Sequence, residues 1–199
     1  MPSEVPDPKF SELLLRVKRR MAAPAESASA QLQSESVLLS TAACYGETAT
    51  HVADAPLSGF EPDAAALFEA IVESAFLVAN ADGEFDSTER AVFASVVVEA
   101  SQRRVRERQV HAIVLDLTTQ LAEDGLELRL KRLGRAISRP SDRREALRIS
   151  ALVAFASAGV SRVERDVLEQ MAAVWELPAP AVDEAVSDAA SALGVSQSG

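Results

Sequence analysis

The sequence predicts an all-α protein: a compact bundle of about seven helices with an internal pseudo-two-fold repeat of helix hairpins. Three observations predict it. Alanine supplies 36 of the 199 residues, and alanine is the best helix former and a poor strand former. No segment alternates apolar and polar residues at the period of a half-buried strand. Apolar residues instead recur at helical spacing behind recognisable caps.

The elements follow in order. Residues 8–21 predict one amphipathic helix, with Phe10, Leu13, Leu14 and Val17 on one face and Lys18, Arg19 and Arg20 at the end where cations suit the helix dipole. A small-polar stretch after Met21 reads as a linker. Residues 37–58 mix apolar content with loop signals and show no clean period. Residues 1–58 are therefore read as an N-terminal region with one helix or two, and 59–199 as the helical domain. Pro62 suits a first helical turn, and Leu67, Ile71, Phe76 and Leu77 are its candidate buried positions. Gly83 stops that helix. Asp86 caps the next, with Glu89 completing a capping box and Val92, Phe93, Val96 and Val97 forming the apolar stripe. A third helix carries Val105, Val110, Ile113, Val114, Leu117 and Leu121, and Gly125 separates it from a fourth. Ser141 is the expected cap of a fifth helix ending near Gly159. Ser161 and Glu164 make a second capping box and open a sixth helix, through Trp175. Pro178 and Pro180 mark a turn before the last helix.

Composition excludes several functions. The single cysteine, Cys44, rules out an intramolecular disulfide and a Cys-rich zinc site, and two histidines leave little for His-based chemistry. No apolar run reaches the roughly 18 residues of a membrane span. The start of the chain lacks the pattern of a secretory signal, so a cytoplasmic protein is expected. The formal charge is −10, from 30 acidic and 20 basic residues, but it is uneven. Residues 61–100 hold nine acidic groups against one basic, and residues 101–150 hold twelve basic against seven acidic. The basic block includes Arg103, Arg104, Arg106 and Arg108 and can contact an acidic partner. It contains no aromatic residue, which argues against nucleic-acid binding.

Residues 77–93 and 152–168 align at an offset of 75. Leu77, Val78 and Ala79 match Leu152, Val153 and Ala154; Phe85 matches Val160; Glu89 and Arg90 match Glu164 and Arg165. Each unit reads as a buried helix, a tight glycine-containing loop, a cap and a second helix.

Only the first loop is rich in oxygen ligands. Asp82, Glu84, Asp86 and Glu89, with the Asn80 amide, lie within ten residues, and hard cations such as Ca²⁺ or Mg²⁺ need several such oxygens around a turn that glycine permits. With Gly83 as the sixth position of a calcium loop, Asn80, Asp82, Asp86 and Glu89 fall third, fifth, ninth and twelfth. The first position is then Val78, which cannot ligate, so the run departs from an EF-hand. Capping alone explains Asp86 and Glu89. The second loop keeps its cap while holding Ser157, Ala158 and Gly159 where the first has Asp82, Gly83 and Glu84. Capping therefore does not account for Asp82 and Glu84. A metal site here would be single and lopsided unless Glu164, or a helix residue such as Glu73, joined it.

The phrase from Ala79 to Glu89, an Ala-Asp-Gly turn followed by a hydrophobic residue, a cap and a glutamate, resembles the signature of the tellurite-resistance TerB family. A second, similar turn near the C-terminus corresponds to Ser157–Glu164, although it lacks the aspartate. The resemblance covers about residues 60–195 and implies a compact all-helical domain with pseudo-two-fold arrangement. It further implies a bacterial stress-response or metal-sensing role beside membrane-associated and calcium-binding partner proteins. The family's acidic positions fall on Asp82, Asp86 and Glu89.

An enzyme is the least supported class. Cys44 has no predicted base nearby, His111 reads as a partly buried helix residue, and no glycine-rich phosphate loop exists. Two readings stand. In the first, a non-catalytic TerB-like module binds a divalent cation, a partner protein or both through the loop 80–89. In the second, a metal-free scaffold uses the basic segment 103–148 and the N-terminal helix to contact partners.

Overall fold

The computed structural model describes residues 8–23, 36–48, 62–83, 85–156 and 159–194. Among the described residues the chain is all-helical: α1 (Pro8–Ala22), α2 (Val37–Thr48), α3 (Pro62–Ala79), α4 (Ser87–Ala100), α5 (Glu107–Ala136), α6 (Pro140–Phe155), α7 (Arg162–Val174) and α8 (Ala181–Leu193). None is long and apolar enough to cross a membrane.

The centre is the α3–α6 pair, which packs together more extensively than any other two helices. Residues 70–78 of α3 and 149–156 of α6 are buried all round, as expected for helices apolar on every face. Their buried serines are satisfied within the pair. The Ser74 hydroxyl donates to Ile71 O (2.7 Å), and the Ser150 hydroxyl donates to Ala146 O (2.9 Å). Phe68, Ile71, Phe76 and Leu147 are essentially inaccessible, each burial being worth about 1.5–3 kcal/mol.

The N-terminal helices join this core. Val17, Met21, Leu38 and Ala42 are fully buried in the same cluster as α3 to α8. The division after residue 58 thus falls in a stretch outside the described residues, and α1 and α2 pack on α4, α6 and α3. Residues 37–48, ambiguous in sequence, are helical because they lie against α3, where Tyr45 stacks on Phe68 at 5.0 Å.

Arginine side chains close the helix ends. Arg148 donates to the last carbonyls of α1, Arg20 O (3.0 Å) and Ala23 O (2.9 Å), while pairing with buried Glu145 (2.6 Å). Arg143 donates to Ile137 O (2.7 Å), Gly134 O (3.2 Å) and Trp175 O (3.0 Å). Arg16 donates to Leu193 O of α8 (2.8 Å). Each meets carbonyls that a helix terminus leaves without an internal partner.

The expected break in α5 is present. Gly125 has φ 74° and ψ 162°, a region essentially closed to residues with a Cβ, so two helical segments meet there. Residues 62–193 thus hold the seven predicted helical segments. Three details differ from the sequence reading. Val105, expected on the third helix, lies in the turn before α5. α6 starts at Pro140 with Arg139 at the cap position, and the Ser141 hydroxyl instead donates to the Asp142 carboxylate. Proline at the first helical position, with no N–H to satisfy, sets that start. His111 is exposed on α5 and not partly buried, because the turn of the helix sends Val110 and Val114 inward.

Candidate functional site

Loop 80–89 comprises the connection from α3 to α4, residues 80–86, and the first turn of α4, Ser87 to Glu89. The backbone folds over as Ala81 N–H donates to Val78 O and Gly83 N–H donates to Asn80 O, both at 3.1 Å. Gly83 has φ 81°, the left-handed region that glycine enters without steric cost. The capping box then forms. Asp86 Oδ1 accepts from Thr88 N–H (2.7 Å) and Glu89 N–H (2.8 Å), and Glu89 Oε2 accepts from Asp86 N–H (3.0 Å). Phe85 turns back onto the core, edge-on to Phe76 (5.4 Å) and Phe93 (5.9 Å). Arg90 donates to Phe85 O (3.0 Å). The loop is therefore fastened at both ends.

The second turn repeats the cap. Ser161 N–H donates to Glu164 Oε2 (2.7 Å), and Glu164 N–H donates to Ser161 Oγ (3.3 Å). Glu164 is buried. Burial raises its pKa above the usual value, the Ser161 hydrogen bonds partly offset this, and the Asp82 and Glu89 carboxylates raise it further. The fold thus brings three carboxylates from two distant turns within electrostatic reach. Glu164 joins Asp82 and Glu89. Glu73 does not; it faces α5, where Arg129 donates to it at 2.6 Å.

Asp82 and Asp86 are exposed and Glu89 is half-buried; Glu84 lies outside the described residues. Among the described residues no group of three or more His, Cys, Asp or Glu side chains is arranged to hold a metal ion. Asp86 Oδ1 and Glu89 Oε2, on the residues at the ninth and twelfth positions of the calcium-loop alignment, are committed to backbone N–H groups.

The same loop walls a half-open cavity of about 200 Å³, lined by Ala79, Phe85, Thr88, Glu89, Val92, Phe93, Val96, Val153 and Ala156. Phe93, Val96, Val153 and Ala156 are buried and form its floor; Phe85, Thr88, Glu89 and Val92 are its more exposed rim. Sequence reasoning missed this cavity, since its walls come from α3, α4 and α6. The one local signal was Phe85, an aromatic residue set between acids.

The basic candidates sit at the opposite end of α4. Gln102 and Arg103 adopt φ 51° and 61°, and Arg103 pairs with Glu99 (2.7 Å). Arg104 donates to Leu39 O of α2 (2.9 Å), so it fastens the N-terminal region. Arg106 precedes α5 and Arg108 lies in its first turn; both are exposed.

No protein-family model, curated protein or solved structure matches the chain.

Proposed function

We propose that this chain is a non-catalytic, TerB-like stress-response module that binds a partner protein through its acidic end, the loop 80–89. The observation that carries the reading is the position of that loop. Phe85, Thr88 and Glu89 wall an apolar cavity, while Asp82, Glu89 and Glu164 gather negative charge beside it. An apolar recess rimmed by one sign of charge is the pattern of a recognition surface: the recess supplies affinity and the charge supplies orientation and encounter rate.

Photo-crosslinking in cells tests it. A crosslinking amino acid replaces the exposed Ser87, next to the cavity-lining Thr88, or, as the control, Arg108 near the far end of α4. A discrete adduct from position 87, lost with Asp82→Asn/Asp86→Asn, is the expected result. An adduct from position 108 alone moves the contact to the basic segment and overturns the reading.

The mutual repulsion of Asp82, Glu89 and Glu164 favours a second reading, in which Ca²⁺ or Mg²⁺ is taken up at the same end. A ligand of the native state raises the melting temperature. A cation-specific rise in the chelated protein, absent from Asp82→Asn/Asp86→Asn, supports that reading, and coincident curves remove it.

A further inference from the structure

We propose that the cavity beside loop 80–89 binds a small organic amine, with an aromatic ring or short hydrocarbon on its apolar floor and the ammonium on Glu89. Size, lining and charge each point to this class. An apolar cavity of roughly 150 Å³ holds a benzene-sized molecule. At about 200 Å³, this one accommodates such a ring with a short chain and falls below the range of drug-sized pockets. Its floor is hydrocarbon: Phe93, Val96, Val153 and Ala156. Among the described residues only Thr88 and Glu89 bring polar side chains to the lining, and of these Glu89 carries the charge.

Glu89 is also held for the task. One carboxylate oxygen accepts the Asp86 N–H at 3.0 Å, which fixes the side chain at the rim and leaves its charge beside the recess. Asp82 and Glu164 add negative charge nearby, so a cation at this spot relieves the repulsion among the three. A bare metal ion would satisfy the charge but not the hydrocarbon floor; a neutral or anionic ring would do the reverse. An amphipathic amine satisfies both. The inference stands apart from the partner-protein reading, since a free amine requires no macromolecule.

The test uses three probes with one ring and different charge: 2-phenylethylamine, 2-phenylethanol and phenylacetate. Each is titrated into the full chain while the methyl resonances of Val92, Val96 and Val153 are followed by NMR. Saturable shifts of these methyls with the amine are expected, at an affinity about tenfold or more above that for phenylacetate, the scale of one charge-assisted hydrogen bond. Glu89→Gln keeps the capping box, because glutamine accepts the same N–H, and should bring the amine down to the level of the alcohol. Ala156→Leu fills the floor and should abolish the shifts; Ala79→Leu, filling from the rim, replaces it if Ala156→Leu does not fold. Absent or non-saturating shifts, equal affinity for amine and carboxylate, or an unchanged amine preference in Glu89→Gln would each overturn the proposal.

Discussion

The acidic stretch 80–89 and the basic stretch 101–150 look alike in the sequence, each a run dominated by one sign. The fold treats them differently. Asp82 and Asp86 stay exposed around a capped turn, beside an open apolar recess. Many of the arginines turn inward: Arg129 is buried against Glu73, Arg143 gathers three helix-end carbonyls, and Arg148 ties α1 to α6. Charge density alone does not reveal a binding surface. What separates the two is how far the fold itself answers the charge. At the acidic end Asp86 and Glu89 meet backbone N–H groups, yet Asp82 and Glu89 still repel Glu164. Like charges from two turns thus stay close together at that end.

The largest expected effect breaks the inward side of this comparison. Arg129→Met leaves Glu73 buried without its cation, and burial already raises the Glu73 pKa against the opposing effect of Arg129. Removing one partner of a buried ion pair typically costs about 3–5 kcal/mol, and urea unfolding should show a loss on that scale. Adding Glu73→Leu should recover most of it, because the loss comes from the uncompensated charge. A single variant as stable as the parent would return Arg129 to the status of a surface cation.

Arg143→Met comes next. It removes three charge-assisted hydrogen bonds to helix-end carbonyls and, among the described residues, breaks no ion pair. A loss of about 1.5–3 kcal/mol is expected. Faster amide exchange around Trp175 and the end of α5 would locate it. Arg106→Ala and Arg108→Ala, by contrast, should stay within about 0.5 kcal/mol, as exposed substitutions do. Equal losses at all three sites would erase the distinction between structural and surface arginines.

Local physics made much of this fold legible in the sequence. Both capping boxes, the break at Gly125 and the seven helical segments after residue 60 rest on periodicity, caps and glycine, all properties of a few adjacent residues. Apart from the place of Val105, the start of α6 and the exposure of His111, the missed features depend on long-range pairing. Glu73 meets Arg129 across 56 positions, so neither residue announces itself as buried. Residues 37–48 have no clean period because their helicity depends on packing against α3. At the candidate site, Asp82, Asp86 and Glu89 stood out as acids, but the recess behind Phe85 needed Val153 and Ala156 from the other end of the chain.

The two turns themselves offer a finer comparison. Asp86→Ala and Ser161→Ala each remove the side chain that accepts from the first turn of the following helix. Each should lower stability by about 1 kcal/mol, measured by urea unfolding. Near-equal losses would mean that Asp86 contributes to stability as a cap does and no more, leaving its exposed charge to another role. A markedly smaller loss at Asp86 would mean that the cap there is opposed by repulsion within the acidic end.

The smallest effect probes the buried carboxylate of the second turn. Glu164→Gln keeps an acceptor for the Ser161 N–H while removing one of the three neighbouring charges. In the native state the Glu164 pKa lies above its ordinary value of 4.5, chiefly from burial and further from Asp82 and Glu89. Below pH 4.5 the carboxyl is protonated in both folded and unfolded chains and carries no penalty. As pH rises from there through the elevated native value, the folded chain retains a proton that the unfolded chain releases, so stability falls. Above that window the ionised group bears its full burial and repulsion. Glu164→Gln should therefore melt higher than the parent at pH 7. The gain should be smaller than the roughly 1 kcal/mol of a lost cap, because the Ser161 hydrogen bonds favour the ionised carboxylate and offset part of the penalty. The advantage should shrink as pH falls toward 4.5. Parallel melting curves across the whole range would mean that Glu164 ionises in the folded chain without penalty, from burial or from Asp82 and Glu89.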